Sequence, residues 1–184
     1  MKASILKKSL ISMIDSKIPV FVWGNPGVGK SSIIKQIAND KNMEFIDLRL
    51  SLLDPTDLRG IPFFDSANKS AIWAKPEFLP NSNSQAFGIL FLDEINSAPP
   101  TVQAAAYQLI LDRKIGEYTL PMNYAIVAAG NYESDRGVTY RMPTPLANRF
   151  VHLDFELDFE EWKSWAYESK IDTRIISFLS YKPQ

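Results

Sequence analysis

Cysteine is absent from this chain of 184 residues, and histidine occurs once, as His152. Without cysteine there is no disulfide framework and no thiolate metal site. Without a second histidine there is no nucleophile triad, and His152, set inside a strand pattern, reads as a packed strand residue rather than a metal ligand. Neither sign of charge is in excess. Lys and Arg number 20 against 21 Asp and Glu, a formal net charge of -1, so the chain as a whole exerts no pull on nucleic acid or an anionic membrane. No apolar run approaches the ~20 residues that span a bilayer, and Lys7-Lys8 interrupts the N-terminal apolar stretch. These absences predict a soluble, cytoplasmic protein with no membrane segment. Internal repeats and low-complexity tracts are lacking too.

What is present is Gly24-Asn25-Pro26-Gly27-Val28-Gly29-Lys30-Ser31, a G-x-x-x-x-G-K-S run between the apolar Val20-Phe21-Val22-Trp23 and a helical pattern starting at Lys30. Glycine at 24, 27 and 29 lets the backbone curl with its N–H groups inward and leaves no Cβ in the path of a phosphate. The helix that follows adds the positive end of its dipole. The pattern assigns residues 24–31 and the adjoining Ser32 to nucleotide binding, Lys30 to the β- and γ-phosphates, and the Ser31 hydroxyl to Mg²⁺.

Around this loop, apolar strands alternate with helical periodicity, which implies a parallel sheet. Strands are predicted at Val20–Trp23, Glu44–Leu50, Gly88–Glu94, Tyr124–Ala129 and Phe150–Phe155, and a helix over Pro100–Arg113. An N-terminal helix over Ala3–Ser16 places Leu6, Leu10, Met13 and Ile14 on one face. The stretch from Asp54 to Gln85 has a different texture, rich in Pro, Ser and Asn. Within it, Ile61-Pro62-Phe63-Phe64 and Ser70-Ala71-Ile72-Trp73 flank a polar turn and predict a β-hairpin. That hairpin is either a working loop or a surface excursion whose aromatics fold back onto the core. The expected division is a core over residues 1–157, with the insert at about 58–80, and a short helical segment over 158–184. In that segment Phe159, Trp162 and Trp165 stand at core-like spacing.

Ligands of parallel sheets bind beyond the carboxyl ends of the strands, and three chemically useful segments fall there. Asp93 follows four apolar residues and suits an acidic group that holds Mg²⁺ opposite Ser31. Glu94 then has a carboxylate to spare for orienting and polarising a water as general base. Asn131 ends the strand at Tyr124–Ala129 and suits a hydrogen bond to that water or to the γ-phosphate. Arg149 is either an arginine finger supplied in trans to a neighbouring copy or a surface Arg paired with an acidic neighbour, with Arg141 as the reserve.

Taken in order, GNPGVGKS, LDPTDLRG, ILFLDEINSAPPTVQAAAYQLILDRKIG, IVAAGN and PLANRF resemble the AAA+ ATPases, and within them the MoxR-like, dynein-related branch, over residues 17–155. The resemblance implies a P-loop NTPase fold: a three-layer α/β/α sandwich on a five-stranded parallel sheet, with a β-hairpin insert and short C-terminal helices. It implies a Walker A at Gly24–Ser31, a Walker B at Leu90–Glu94, a sensor 1 at Asn131 and an arginine finger at Arg149. Leu58–Pro80 would be an insert in the second helix, and Ile115–Tyr118 the hairpin before sensor 1. ATP and Mg²⁺ are the implied ligands. Homo-oligomeric rings, commonly hexamers, a protein client and a partner with a von Willebrand factor A domain are the implied associates. One departure is that only the opening helices of the family's lid fit Phe159–Tyr181, and Arg174 has no sensor 2 context.

Three functions follow as expectations: an ATP-hydrolysing motor that remodels a protein client, a nucleotide-gated binding module with negligible hydrolysis, and an AAA+ protein acting on nucleic acid. The near-neutral charge leaves nucleic acid unindicated without excluding it.

Overall fold

A computed structural model of the chain describes residues 1–132, 140 and 142–181. Helix α1 (Ala3–Asp15) buries Leu6, Leu10 and Ile14, one stripe at helical spacing. Strand β1 (Val20–Trp23) runs into the glycine loop and then α2 (Lys30–Asp40), followed by β2 (Glu44–Arg49). A one-turn helix α3 (Pro55–Arg59) starts at a reciprocal cap between Asp54 and Asp57 and leads to a hairpin of β3 (Ile61–Asp65) and β4 (Ser70–Ala74). Then come β5 (Gly88–Asp93), α4 (Pro100–Asp112), the two-residue strands β6 (Lys114–Ile115) and β7 (Tyr118–Thr119), and β8 (Tyr124–Gly130). The short α5 (Thr144–Ala147), β9 (Val151–Asp154), α6 (Phe159–Glu168) and α7 (Thr173–Tyr181) complete the described chain.

Five strands form one parallel sheet in the order β2-β5-β8-β1-β9. Both faces are covered, which is why the central strands are apolar without alternation. On one face, Val20, Val22, Ile89, Phe91, Val127 and Leu153 pack under α1 and α2. On the other, Phe21, Leu48, Leu90, Leu92 and Ala128 pack under α4. The chain is therefore the expected three-layer α/β/α P-loop sandwich with a five-stranded parallel sheet.

The hairpin forms with Phe63 paired to Ile72 and Phe64 to Ala71, but it does not fold back. Phe64 is 73% exposed and Phe63 58%. Nor does it interrupt a helix as the resemblance implied. It follows the single turn of α3, and residues 75–87 contain turns but no helix. Trp165 also departs from expectation. It is exposed on α6, while Phe159 and Trp162 stack on each other half-buried, because α6 offers only Ala166 fully to the body. Among the described residues no helix is long and apolar enough to cross a membrane.

Candidate active site

Strand order decides what meets at the carboxyl edge of the sheet. β5, β8 and β1 are consecutive neighbours about 5 Å apart, so their ends bring Asp93, Asn131 and the loop after Trp23 within about 10 Å of one another. The loop itself turns on Gly27 and Gly29, at φ 79° and 96°, and a Cβ at either would meet nothing within 4 Å. The space beside both glycines is open, so the loop's main chain can be approached closely by a phosphate. Gly24 serves differently, because its missing Cβ gives room to the Phe155 carbonyl at 3.1 Å.

Lys30 is almost fully buried, and its ammonium donates to the carbonyls of Gly24 at 2.7 Å and Asn25 at 3.1 Å. It also donates to Asn131 Oδ1 at 2.9 Å. Ser31 Oγ donates to Asp93 Oδ2 at 3.1 Å. The two groups expected on opposite sides of a metal thus face each other directly. Both are hard oxygen donors, and Mg²⁺ characteristically takes one or two protein oxygens and completes its shell with phosphate and water. The donor set therefore fits Mg²⁺, which would supply charge neutralisation for a triphosphate held there. Asp47, on neighbouring β2, has its carboxyl pushed up by burial and by the nearby charge of Asp93, so this corner is already crowded with negative charge.

Glu94 adopts a left-handed backbone, φ 55°, which costs a non-glycine residue on the order of 1 kcal/mol. Its carboxylate accepts from Ser51 Oγ and lies 3.8 Å from Arg49 Nε. Arg149 is exposed just after α5 and, among the described residues, has no carboxylate partner, so the ion-paired alternative finds no support there. Arg141 lies outside the described residues. His152 sits on the edge strand, where Nδ1 accepts from Trp23 Nε1 at 2.8 Å and Nε2 lies 2.8 Å from the Ala147 carbonyl. It braces α5 against β1 and is more exposed than a packed residue.

Three neighbours of the site were not legible beforehand. Arg49 ends β2 and Ser51 lies in the turn just past it, and they reach Glu94 only because β2 pairs with β5, a pairing that spacing in the sequence does not reveal. Asn96 escapes notice because an amide before Ser97-Ala98-Pro99 reads as a turn residue.

The sequence pattern of the ATPase family associated with various cellular activities (AAA) matches residues 19–152, which contain all of these groups. The chain belongs to the AAA ATPases. Membership implies nucleotide binding, and the MoxR-like branch agrees with a relative: the chain is 28% identical over 152 residues to Chaperone MoxR1 of Mycobacterium tuberculosis, covering 80% of this chain and 38% of that protein. It is 30% identical over 107 residues to the replication factor C large subunit of Ignicoccus hospitalis, covering 58% of this chain and 20% of that one. The chain thus spans well under half the length of the curated relatives it matches. Among solved structures it resembles a Cytophaga hutchinsonii protein assigned as an ATPase, with a TM-score of 0.64 at 22% identity, over 91% of this chain and 50% of that one. It also resembles NtrX from Brucella abortus in complex with ADP, with a TM-score of 0.57 at 16% identity, over 92% and 42%. At these identities the structural likeness speaks for the fold of this AAA ATPase.

Proposed function

We propose that this AAA ATPase binds ATP with Mg²⁺ at the Gly24–Ser31 loop and hydrolyses it, working as an oligomer that remodels a protein client. The observation that carries the reading is the pair of contacts across the sheet edge, Ser31 to Asp93 at 3.1 Å and Lys30 to Asn131 at 2.9 Å. Residues 62 and 101 positions apart meet where one triphosphate would join them. In the bound state Lys30 exchanges loop carbonyls for β- and γ-phosphate oxygens, a charge-assisted contact stronger than the ones it leaves. Ser31 and Asp93 hold the metal, and the backbone of residues 24–29, with Ser32, cradles the phosphates. Glu94 polarises the attacking water and takes its proton. Asn131 senses the γ-phosphate, and the exposed Arg149 serves the site of a neighbouring copy.

The exposed β3–β4 hairpin supplies an apolar surface for the client, and a hexameric ring in the cytoplasm, beside a von Willebrand factor A partner, is the assembly this reading favours. Likeness to Chaperone MoxR1 supports it. Turnover per chain measured against protein concentration, with particle mass measured with and without Mg²⁺ and a non-hydrolysable ATP analogue, tests it. A ring that forms with nucleotide and hydrolyses faster when concentrated is expected, and a monomer that binds ATP without turnover overturns the motor. A nucleotide-gated module is the second reading. It is favoured by the engagement of the Glu94 carboxylate with Ser51 and Arg49, which draws it away from a water at the γ-phosphate.

A further inference from the structure

The β5–β8 ladder stops at the pair Leu92 and Ala128, while β8 continues to Gly130. Beyond that point the left-handed turn at Glu94 takes the chain of β5 out of the sheet, leaving the backbone of Asn131 without a strand beside it. A half-buried N–H and C=O in that position need partners. Asn96 provides both. Its side-chain Nδ2 donates to the Asn131 carbonyl at 2.7 Å, and its Oδ1 accepts from the Asn131 N–H at 3.3 Å. The amide thus imitates the exchange of two bonds between neighbouring strands. Only this orientation works, because a flipped amide would oppose donor to donor and acceptor to acceptor.

The clamp is built into the surroundings. Asn96 is 2% exposed. A Cβ on Gly130 would lie 2.4 Å from Asn96 Oδ1 and 2.6 Å from Phe21 Cζ, so the strand end is glycine where the amide must pass. The other end of the arrangement is the Asn131 side chain, whose Oδ1 accepts from Lys30. The backbone carbonyl of Asn96 also accepts from the Tyr140 N–H at 2.6 Å.

We propose that Asn96 is the positioning residue of the site: by pinning the Asn131 backbone on both polar groups it aims the Asn131 amide at Lys30 and at the γ-phosphate position. The proposal rests on the nucleotide reading given above. Both ends of the Asn96 amide are taken by the Asn131 backbone, so it acts through Asn131. Removal of Asn96 therefore blunts the distinction between a triphosphate and a diphosphate more than it weakens nucleotide binding as such. A misplacement of this kind costs rate steeply, because orientation is part of the barrier.

The test is a double-mutant cycle of Asn96→Ala with Asn131→Ala, reading kcat and the ratio of affinities for a non-hydrolysable ATP analogue and ADP, with melting temperature followed in parallel. Asn96→Ala alone is expected to lower kcat by about tenfold and to shrink the analogue-to-ADP preference several-fold, with ADP affinity changed by less than about threefold. In the Asn131→Ala background the same change should cost less than about twofold, since the amide it aims is gone. Equal losses in both backgrounds would reduce Asn96 to a structural residue and overturn the proposal. Asn96→Asp guards against loss of fold, as it keeps shape and Oδ1 but turns an oxygen toward the Asn131 carbonyl. It should share the deficit, and wild-type behaviour in it would overturn the proposal as well. If the unaltered chain binds nucleotide but shows no turnover, the hydrolysis reading fails on its own, and the affinity-ratio cycle still decides Asn96.

Discussion

Strand β5 reads Gly-Ile-Leu-Phe-Leu-Asp and strand β3 reads Ile-Pro-Phe-Phe-Asp, two apolar runs that both end in aspartate. The first is buried at all six positions; in the second Ile61, Phe63 and Phe64 are exposed, and the paired strand β4 is exposed throughout. The difference lies in what flanks them. β5 has β2 and β8 on either side and helices above and below, whereas the hairpin has only its own two strands, with apolar side chains on both faces. A lone hairpin is marginal in water, so its apolar character is not what holds it up. Its tip is fixed locally, by Asp65 accepting from the Ala67 N–H at 2.9 Å and from Asn68 Nδ2 at 2.8 Å. Apolarity in a sequence says that a surface is suited to being covered, and not by what.

That contrast can be broken most forcefully at the acid end of β5. Glu94→Gln is expected to reduce ATP turnover by about a hundredfold or more while nucleotide binding survives, as read by steady-state kinetics beside equilibrium titration. Turnover that persists would remove Glu94 as the base. Next in size is Gly130→Ala, where the added methyl meets the Asn96 amide and the Phe21 ring. A loss of about 1–3 kcal/mol in urea denaturation is expected, and an unchanged midpoint would mean the strand end has slack.

In the hairpin, the double change Phe63→Ser and Phe64→Ser should move stability by no more than about 0.5 kcal/mol and leave basal turnover intact. A large drop in melting temperature would show the hairpin to be part of the core after all. The smallest effect belongs to the seam between α1 and α6. There Lys2 bonds to Asp158, and the Ser4 N–H and hydroxyl donate to Glu161, holding both carboxyls below their ordinary range. Groups depressed in this way stabilise the fold above their unfolded values and lose that contribution as pH falls through the folded ones. Melting temperature should therefore slip slightly as the pH drops below about 4, less so in Asp158→Asn.

Sequence alone was enough for the existence of the sheet strands, β1, β5 and β8 as short apolar runs and β2 and β9 as alternating ones. The glycine loop, Asp93, Glu94 and Asn131 were likewise visible as polar residues at strand ends. Strand ends shifted by a residue or two, as in β9, which starts at Val151 because Phe150 turns into the core beneath Phe21. The lateral order of the strands was not legible, and it is what places Asn131 between the loop and Asp93. Trp165 misled because helical spacing marks a face but does not guarantee a neighbour for it. Asn96 was missed for the opposite reason: its partner is a backbone 35 residues on, and side-chain patterns carry no trace of an unpaired main chain.

Trp23 stands one residue before Gly24, with its indole N–H bonded to His152 and its ring lying at 15° to that of Tyr132, one residue past Asn131. Indole emission shifts with hydrogen bonding and ring contact, so the two loops that would clasp a triphosphate are joined by a built-in fluorophore. Trp73 reports from the water-facing hairpin in the same way. With the other three indoles replaced, light from Trp23 alone follows the pocket and light from Trp73 alone follows whatever the hairpin touches, without any label being attached.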